Sequence, residues 1–163
     1  MVSRYLLGFF SGTLVALILG ALGCGEELNT YDGDVYIDRV EQIENYRSYE
    51  RISGRLTLTQ MSSEAFSWPE LVEVGGELWI RDNSRLRGFN LAGLRSVGAD
   101  VLVRNNLELT GINLDSLNKV GGTFSVVYNP KLPSCQVSSV ISSAGNIGGE
   151  TTVEGNNDTG RCD

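Results

Sequence analysis

The chain has 163 residues and a formal net charge of −7, with 20 Asp and Glu against 13 Lys and Arg and no histidine. This length fits one domain with one hydrophobic core. The missing histidine excludes Ser-His-Asp and Cys-His catalytic sites and removes the commonest metal ligand, and the acidic balance disfavours nucleic acid as a partner.

The first 23 residues differ from the rest of the chain. Arg4 is their only charged residue, and the uncharged, mostly apolar run from 5 to 23 is typical of a signal peptide. The run ends in Ala21-Leu22-Gly23-Cys24, which resembles a lipobox except that Ala21 stands where Leu is usual. We therefore expect cleavage before Cys24, acylation of Cys24 and export to the cell envelope as an outer-membrane lipoprotein held by its lipid. The alternative is an uncleaved membrane anchor or ordinary secretion, because the run is nearly long enough to span a bilayer.

Residues 24–32 are predicted to form a short tether, and the folded domain is predicted to span 33–163. Within it a repeat is visible, since GELWIRDN from 76, ADVLVRNN from 99 and GTFSVVYN from 122 align, with weaker copies from 33, 54 and 149. The spacings are 21, 22, 23, 23 and 27 residues. One such unit cannot bury its own apolar side chains, so this period indicates units that stack and share a core.

Each repeat has a strand segment in which apolar residues two apart share a face and are predicted to point inward. The inward pairs are Val35/Ile37, Leu56/Leu58, Leu78/Ile80, Val101/Val103, Phe124/Val126 and Thr151/Val153. The outward positions between them are Tyr36, Thr57, Trp79, Leu102, Ser125 and Thr152. A second apolar stretch follows each strand, as in Phe66, Trp68, Leu71 and Val74, or Phe89, Leu91, Leu94 and Val97, or Ile112, Leu114, Leu117 and Val120, and partly in Tyr46, Tyr49 and Ile52.

An asparagine lies seven residues after the start of four repeats, at Asn83, Asn106, Asn129 and Asn156. Buried asparagines at a turn can hydrogen-bond the equivalent backbone one repeat away, so we predict a polar ladder, with a ligand or metal role as the alternative. The pattern as a whole predicts an all-β, right-handed β-solenoid of about six coils. A short helix within 136–144, with Val137, Val140 and Ile141 on one face, is expected to cap its end.

Three segments carry a resemblance to a known family: GELWIRDNSRL, LAGLRSVGADVLVRNN and LNKVGGTFSVVYNPKL. Over residues 33–162 they resemble the receptor L-domain family, which includes ligand-binding domains of the insulin and epidermal growth factor receptors. The chain is most similar to the bacterial lipoprotein branch, in which N-P-x-L-P-x-C precedes a short helix, a last strand and a second Cys. It departs from the animal receptors in having no cysteine between Cys24 and Cys135 for a disulfide-tied N-terminal cap.

Cys135 and Cys162 form an even pair in a chain expected to be exported, so a disulfide is predicted. Two thiolates without histidine are too few ligands for zinc. The acidic cluster Asp32, Asp34 and Asp38 has an incomplete calcium-loop pattern, so a solvated turn is favoured over a cation site. We expect neither a metal nor another cofactor.

Trp79 and Leu102 are predicted to lie on adjacent strands as an apolar strip, with Arg81 and Arg104 adjacent in the next outward column and Tyr36 at the end of the row. Two neighbouring like charges repel, which folding does not require. Trp and Arg often anchor interfaces, and here could stack on a sugar or bind a carboxylate or phosphate. The alternative is that Trp79 is covered by its neighbours and that Glu77 and Asp100 neutralise the arginines.

These observations favour a non-enzymatic envelope lipoprotein that acts as a binding or adhesion module for a protein or glycan ligand. A structural envelope protein without a specific ligand is the second hypothesis. A polysaccharide-active enzyme is third, because the short repeat spacings leave almost no insertion to wall off a substrate.

Overall fold

The computed structural model describes residues 27–162, so the predicted signal peptide and Cys24 lie outside the described residues. The described chain is mostly β, with one α-helix, α1 (Ser134–Ser143), and one 3-10 helix (Val40–Asn45). The strands in chain order are β1 (Thr30–Tyr31), β2 (Val35–Ile37), β3 (Arg51–Ile52), β4 (Leu56–Thr59), β5 (Ala65–Ser67), β6 (Glu73–Val74), β7 (Leu78–Arg81), β8 (Gly88–Asn90), β9 (Ser96–Val97), β10 (Val101–Arg104), β11 (Gly111–Asn113), β12 (Lys119–Val120), β13 (Phe124–Val127), β14 (Asn146–Ile147) and β15 (Thr151–Glu154).

The strands form three parallel sheets, each of which takes one strand from successive repeats. Sheet I has the order β15-β13-β10-β7-β4-β2, sheet II has β1-β3-β6-β9-β12-β14, and sheet III has β11-β8-β5. In sheet I, Val101 pairs with Leu78 on one side and with Phe124 on the other, each 23 residues away. Pairing therefore follows the sequence repeat, and equivalent residues of neighbouring repeats lie side by side.

Five of the six predicted inward pairs are buried in the core, from Val35 and Ile37 through to Phe124 and Val126. The prediction is wrong for the sixth pair, because Thr151 is exposed and Val153 is 36% exposed. Among residues 27–162, β15 pairs only with β13 and is the edge strand of sheet I, so no further described repeat covers it. The second apolar stretches are also core: Phe66, Trp68, Leu71, Val74, Phe89, Leu91, Leu94, Val97, Leu114, Leu117 and Val120 are buried, and Ile112, Tyr46 and Tyr49 are half-buried.

The predicted asparagine ladder is present at the corner that follows sheet I. Asn83, Asn106 and Asn129 are each 0% exposed. Asn106 shows the pattern: its Oδ1 accepts the backbone N–H of Asn83 (3.2 Å) and the side-chain N–H of Asn83 (2.9 Å). Its own Nδ2 donates to the carbonyl oxygen of Ile80 (2.9 Å) and to Oδ1 of Asn129 (3.1 Å). Each buried amide thus satisfies backbone groups of a neighbouring repeat, as buried polar groups must.

The residue before each ladder asparagine, and Gln60 before Met61 at the equivalent position of an earlier repeat, takes a left-handed backbone conformation. Gln60, Asp82, Asn105 and Tyr128 have φ between 54° and 58°, and Gly155 has 66°. This conformation suits Gly, Asn and Asp and strains other residues. A second corner requires glycine for space, since a Cβ on Gly98 would clash with the carbonyl oxygen of Gly75 one repeat away. The two corners therefore fix the spacing of the repeats.

The N-terminal end is closed by short elements. β1 lies within the segment predicted as a tether and pairs with β3, so the sheets begin three residues before the predicted boundary at 33. The ring of Tyr31 packs edge-on against the rings of Tyr46 and Tyr49, with centroids 5.1 and 5.4 Å away. The 3-10 helix, which the sequence analysis did not predict, adds Ile43 to the core at 2% exposure.

The C-terminal end is closed by α1. Val137 and Val140 are buried in the core and Ile141 packs against it, as predicted. Gln136 covers the edge of sheet III, because its side chain accepts the N–H of Ile112 (3.3 Å) and donates to the carbonyl of Thr110 (3.1 Å), as a further strand would. Cys135 and Cys162 form the predicted disulfide, with Cα atoms 6.1 Å apart. Within residues 27–162 no helix is long and apolar enough to cross a membrane.

Candidate functional site

The outward row of sheet I is ordered as the repeat predicts. Tyr36, Thr57, Trp79, Leu102, Ser125 and Thr152 are neighbours in register across the six strands. Arg81 is directly beside Arg104. The candidate residues on β7 and β10 are thus brought together. Tyr36 is 53% exposed but lies on β2, at the edge of the sheet and with Thr57 between it and Trp79.

A shallow depression of about 360 Å³ lies over β7 and β10. Its lining comprises Trp79, Leu102, Arg81, Arg104 and two residues that the sequence analysis missed, Asp82 and Asn105. Asp82 and Asn105 are the left-handed corner residues, and the side-chain amide of Asn105 donates to the carboxylate of Asp82 (3.1 Å). Both residues directly precede a ladder asparagine, and this position in the repeat could have identified them from the sequence. Tyr36 does not line this depression.

The Trp79 ring is partly occupied by its own neighbours. The guanidinium carbon of Arg55 lies 4.1 Å from the ring centroid and that of Arg81 lies 5.4 Å from it, which are cation–π distances. Arg55 is held by two hydrogen bonds to the Glu77 carboxylate, at 3.0 and 3.1 Å. These hydrogen bonds lower the pKa of Glu77. Trp79 is therefore half-buried, and stacking of a sugar on its ring would compete with Arg55.

Neither acid proposed to neutralise the arginines of the strip does so. Glu77 pairs with Arg55, and Asp100 accepts the backbone N–H of Thr123 at 2.7 Å. Arg81 pairs instead with the neighbouring Asp82, at 3.3 Å. The Nε–H of Arg81 is buried and has no hydrogen-bond partner among the described residues.

Arg104 differs from Arg81 in its partners. Among residues 27–162 it forms no ion pair, and its guanidinium carbon lies 5.7 Å from the centroid of the Tyr128 ring. Arg104 is exposed and borders the depression. With two arginines and one carboxylate, the lining of this depression carries one net positive charge on an otherwise acidic protein. A guanidinium without an acid partner can bind a carboxylate, sulfate or phosphate through two parallel hydrogen bonds.

A second depression, of about 390 Å³, lies over sheet III and was not predicted. Its lining includes the row Ala65, Gly88 and Gly111 and the polar row Ser67, Asn90 and Asn113. No charged residue lines it. The surface of this depression is therefore mostly apolar with a few amide groups, whereas the depression over β7 and β10 is charged.

The acidic cluster near the N-terminus has a structural role in part. Asp34 accepts the backbone N–H of Arg55 at 2.8 Å, and Asp38 lies 3.5 Å from the side chain of Arg39. Among the residues that the structure describes, no group of three or more acidic or cysteine side chains is arranged to hold a metal ion.

No protein-family model matches the chain, and a search of curated proteins finds no match.

Proposed function

We propose that this chain is an exported, lipid-anchored and non-enzymatic binding module of the cell envelope, built as a receptor L-domain-like β-solenoid. Its ligand is a protein or glycan that carries an anionic group, and the ligand binds over β7 and β10. The observation that carries the proposal is the exposed Arg104 guanidinium, which borders a depression and has no acid partner among the described residues.

The architectural part is a right-handed solenoid of about six coils. Three features support it: parallel pairing between residues 21 to 27 apart, three sheets drawn from successive repeats, and an asparagine ladder between repeats. A crystal structure of the folded domain is expected to show this parallel stacking with a right-handed turn from repeat to repeat. Antiparallel hairpins between residues 54 and 126 would overturn this part of the proposal.

The anchoring part depends on Cys24, which lies outside the described residues. The apolar run and the small residues before Cys24 support processing and acylation at that position. Cys24→Ser is expected to abolish incorporation of labelled fatty acid and to release the protein from the membrane fraction. Labelling that persists in this variant would show that Cys24 is not the lipidated residue.

The binding part follows from the charges of the site. A hydrogen bond to a charged group contributes about 1.5–3 kcal/mol, so loss of the Arg104 guanidinium should weaken an anionic ligand about 10- to 100-fold. Arg81 already has Asp82 as a partner, so its contribution to binding should be smaller. Because the interaction is between exposed charges, binding should weaken as salt is raised.

The test is a binding screen of the folded protein against glycans that bear carboxylate, sulfate or phosphate, and against envelope extracts. Arg104→Ala and the double variant of Trp79→Ala with Arg81→Ala are compared with Arg95→Ala, which removes an exposed arginine from outside this depression. The proposal predicts loss with the first two variants and none with the third. Equal binding by all of them would exclude this face as the site.

A structural envelope protein without a specific ligand is the second candidate. One observation favours it, namely that Arg55, anchored by Glu77, stacks on Trp79 and gives that side chain a role in packing the sheet surface. If this second candidate is correct, no envelope extract or glycan binds the protein, and Trp79→Ala lowers stability without affecting any binding.

A further inference from the structure

The outer edge of β15 carries backbone N–H groups that continue the hydrogen-bond series between repeats but have no acceptor among the described residues. In five successive repeats, the N–H of the first inward residue donates to a carbonyl of the next repeat. These bonds join Val35 to Arg55, Leu56 to Glu77, Leu78 to Asp100, Val101 to Thr123 and Phe124 to Glu150, at 2.8 to 3.0 Å. Thr151 is the sixth member of this series, and residues 27–162 contain no seventh repeat to accept its N–H.

Two further series end at the same edge. The corner N–H groups of Asp82, Asn105 and Tyr128 each donate to the following repeat, and the next member is Gly155. The ladder asparagines end at Asn156, whose Oδ1 accepts both N–H groups of Asn129. Because alternate residues of a strand direct their backbone groups to opposite sides, those of Val153 point the same way as those of Thr151. The edge thus presents N–H donors in the register of another parallel strand.

Two other sheet edges are covered by a glutamine side chain, whereas nothing among residues 27–162 covers β15. At the opposite edge of sheet I, the side chain of Gln42 accepts the N–H groups of Asp38 and Arg39, at 2.9 and 3.0 Å. The edge of sheet III is covered by Gln136. All four residues of β15 are exposed, including Val153, whose equivalents in the other repeats are buried. The strand contains neither proline nor lysine, which commonly protect edges.

We infer that β15 is a docking edge for an extended, basic segment of another protein, which adds to sheet I as a parallel strand. Backbone hydrogen bonds would supply affinity and alternate side chains specificity, as in other strand-addition complexes. The partner's inward apolar residues would cover Val153. Its outward residues would be lysine or arginine, because Glu150 precedes the strand and Glu154 ends it, with a carboxylate that is exposed and accepts only the Tyr128 hydroxyl among the described side chains.

The charges also decide against a second copy of this chain as the occupant. Stacking two copies end to end would bring Glu150 and Glu154 of one copy beside Asp34 and Asp38 of the other. Antiparallel pairing of β15 with β15 in the register that sets Thr151 opposite Val153 would place Glu150 opposite Glu154. Like charges directly opposite on paired strands are destabilising.

The test uses the folded, disulfide-bonded protein and the synthetic peptide Lys-Val-Lys-Val-Lys-Gly-Asn, which has the register of residues 150–156. Control peptides replace each lysine by glutamate or scramble the order. We expect saturable binding of the lysine peptide alone, measured by amide NMR titration. The amides of Thr151, Val153 and Gly155 should gain protection from hydrogen exchange. Equal binding of the scrambled peptide, or no protection at β15, would overturn the inference.

Two protein variants make the assignment specific. Val153→Pro removes an N–H that points away from β13, so the fold should persist while peptide binding falls at least about tenfold. Glu150→Lys with Glu154→Lys changes only exposed side chains and should reverse the preference to the glutamate peptide. Peptide binding that is lost with Arg104→Ala but not with Val153→Pro would assign it to the depression, and concentration-dependent dimers formed through β15 would favour a second copy. Either result would overturn the inference, whereas the proposed function of the depression is decided separately, by the screen of anionic ligands against Arg104→Ala.

Discussion

Asn106 is the central member of the asparagine ladder, so the substitution Asn106→Ala tests how the repeats are joined. The side chain is 0% exposed and makes four hydrogen bonds, two as acceptor from Asn83 and one each as donor to Ile80 and Asn129. After the substitution, the backbone N–H of Asn83 is left buried without its acceptor. The side-chain N–H of Asn83 still donates to the carbonyl of Leu58, and Oδ1 of Asn129 still accepts the backbone N–H of Asn106. The carbonyl of Ile80 loses one donor.

The expected magnitude follows from those groups. A buried N–H without a partner costs about 1–3 kcal/mol, and each hydrogen bond that is lost but partly compensated costs about 0.5–1.5 kcal/mol. We therefore expect the free energy of unfolding to fall by about 3–5 kcal/mol, allowing for cooperativity within the ladder. That is a large share of the free energy of unfolding of a typical domain, which is roughly 5–15 kcal/mol.

The matched control is Asn156→Ala at the end of the ladder. Asn156 accepts the same two bonds from Asn129 and donates to the carbonyl of Val126, but it is only half-buried, so water can replace it. Its loss should cost about 1 kcal/mol. Both variants are compared by urea unfolding at constant disulfide state. Equal costs, or a cost below about 0.5 kcal/mol for Asn106→Ala, would refute the idea that the buried ladder joins the repeats.

Three further predictions concern stability. Replacing Cys135 and Cys162 by alanine opens a loop of about 28 residues and should lower the free energy of unfolding by about 3.6 kcal/mol in the chain-entropy model, measured by urea unfolding. A change near zero would mean that α1 is held by packing alone. Gln60→Gly should raise stability by about 0.5–1 kcal/mol, because Gln60 has a φ of 54° and glycine accepts that conformation without strain; a loss would show that the side chain has a role that its exposure hides. Hydrogen bonds from Arg55 and Lys131 lower the pKa values of Glu77 and Glu108, so these pairs stabilise the fold above the carboxylates' unfolded pKa, and that stability is lost as pH falls through the lower folded values. In the absence of histidine, melting temperatures should be nearly constant from about pH 6 to 8 and fall in acid, and Glu77→Gln with Glu108→Gln should flatten that fall.

The sequence predicted the features of the fold that recur in every repeat. Alternation within a strand identifies an inward pair such as Leu78 and Ile80, and a constant offset identifies the ladder asparagines. The prediction failed for Thr151 and Val153 because burial there depends on a following repeat, which a strand pattern alone does not reveal. It missed the 3-10 helix because that segment occurs once and has no aligned copy to compare.

The site was predicted less completely, for a different reason. Register alone brings Arg81 beside Arg104, so that neighbourhood could be deduced from spacing. The stacking of Arg55 on Trp79 depends on side-chain conformations across two repeats, which the sequence does not contain. Asp82 and Asn105 could have been included, since Asn and Asp favour the left-handed corner, whereas Gln60 and Tyr128 at equivalent corners give no such signal.

The repeat separates residues that specify the fold from residues that are free to specify a ligand. In the central repeats, inward positions are apolar, ladder positions from Asn83 onward are asparagine, and one corner is glycine because neighbouring backbones meet there. The central outward row of sheet I has no such requirement, and its six residues are correspondingly diverse, from Tyr36 and Trp79 to Ser125. Arg104 illustrates the consequence. Its backbone pairs in register like every other strand residue, yet its side chain forms no ion pair within the described chain and lies only near the Tyr128 ring, which leaves the guanidinium able to bind an anionic group.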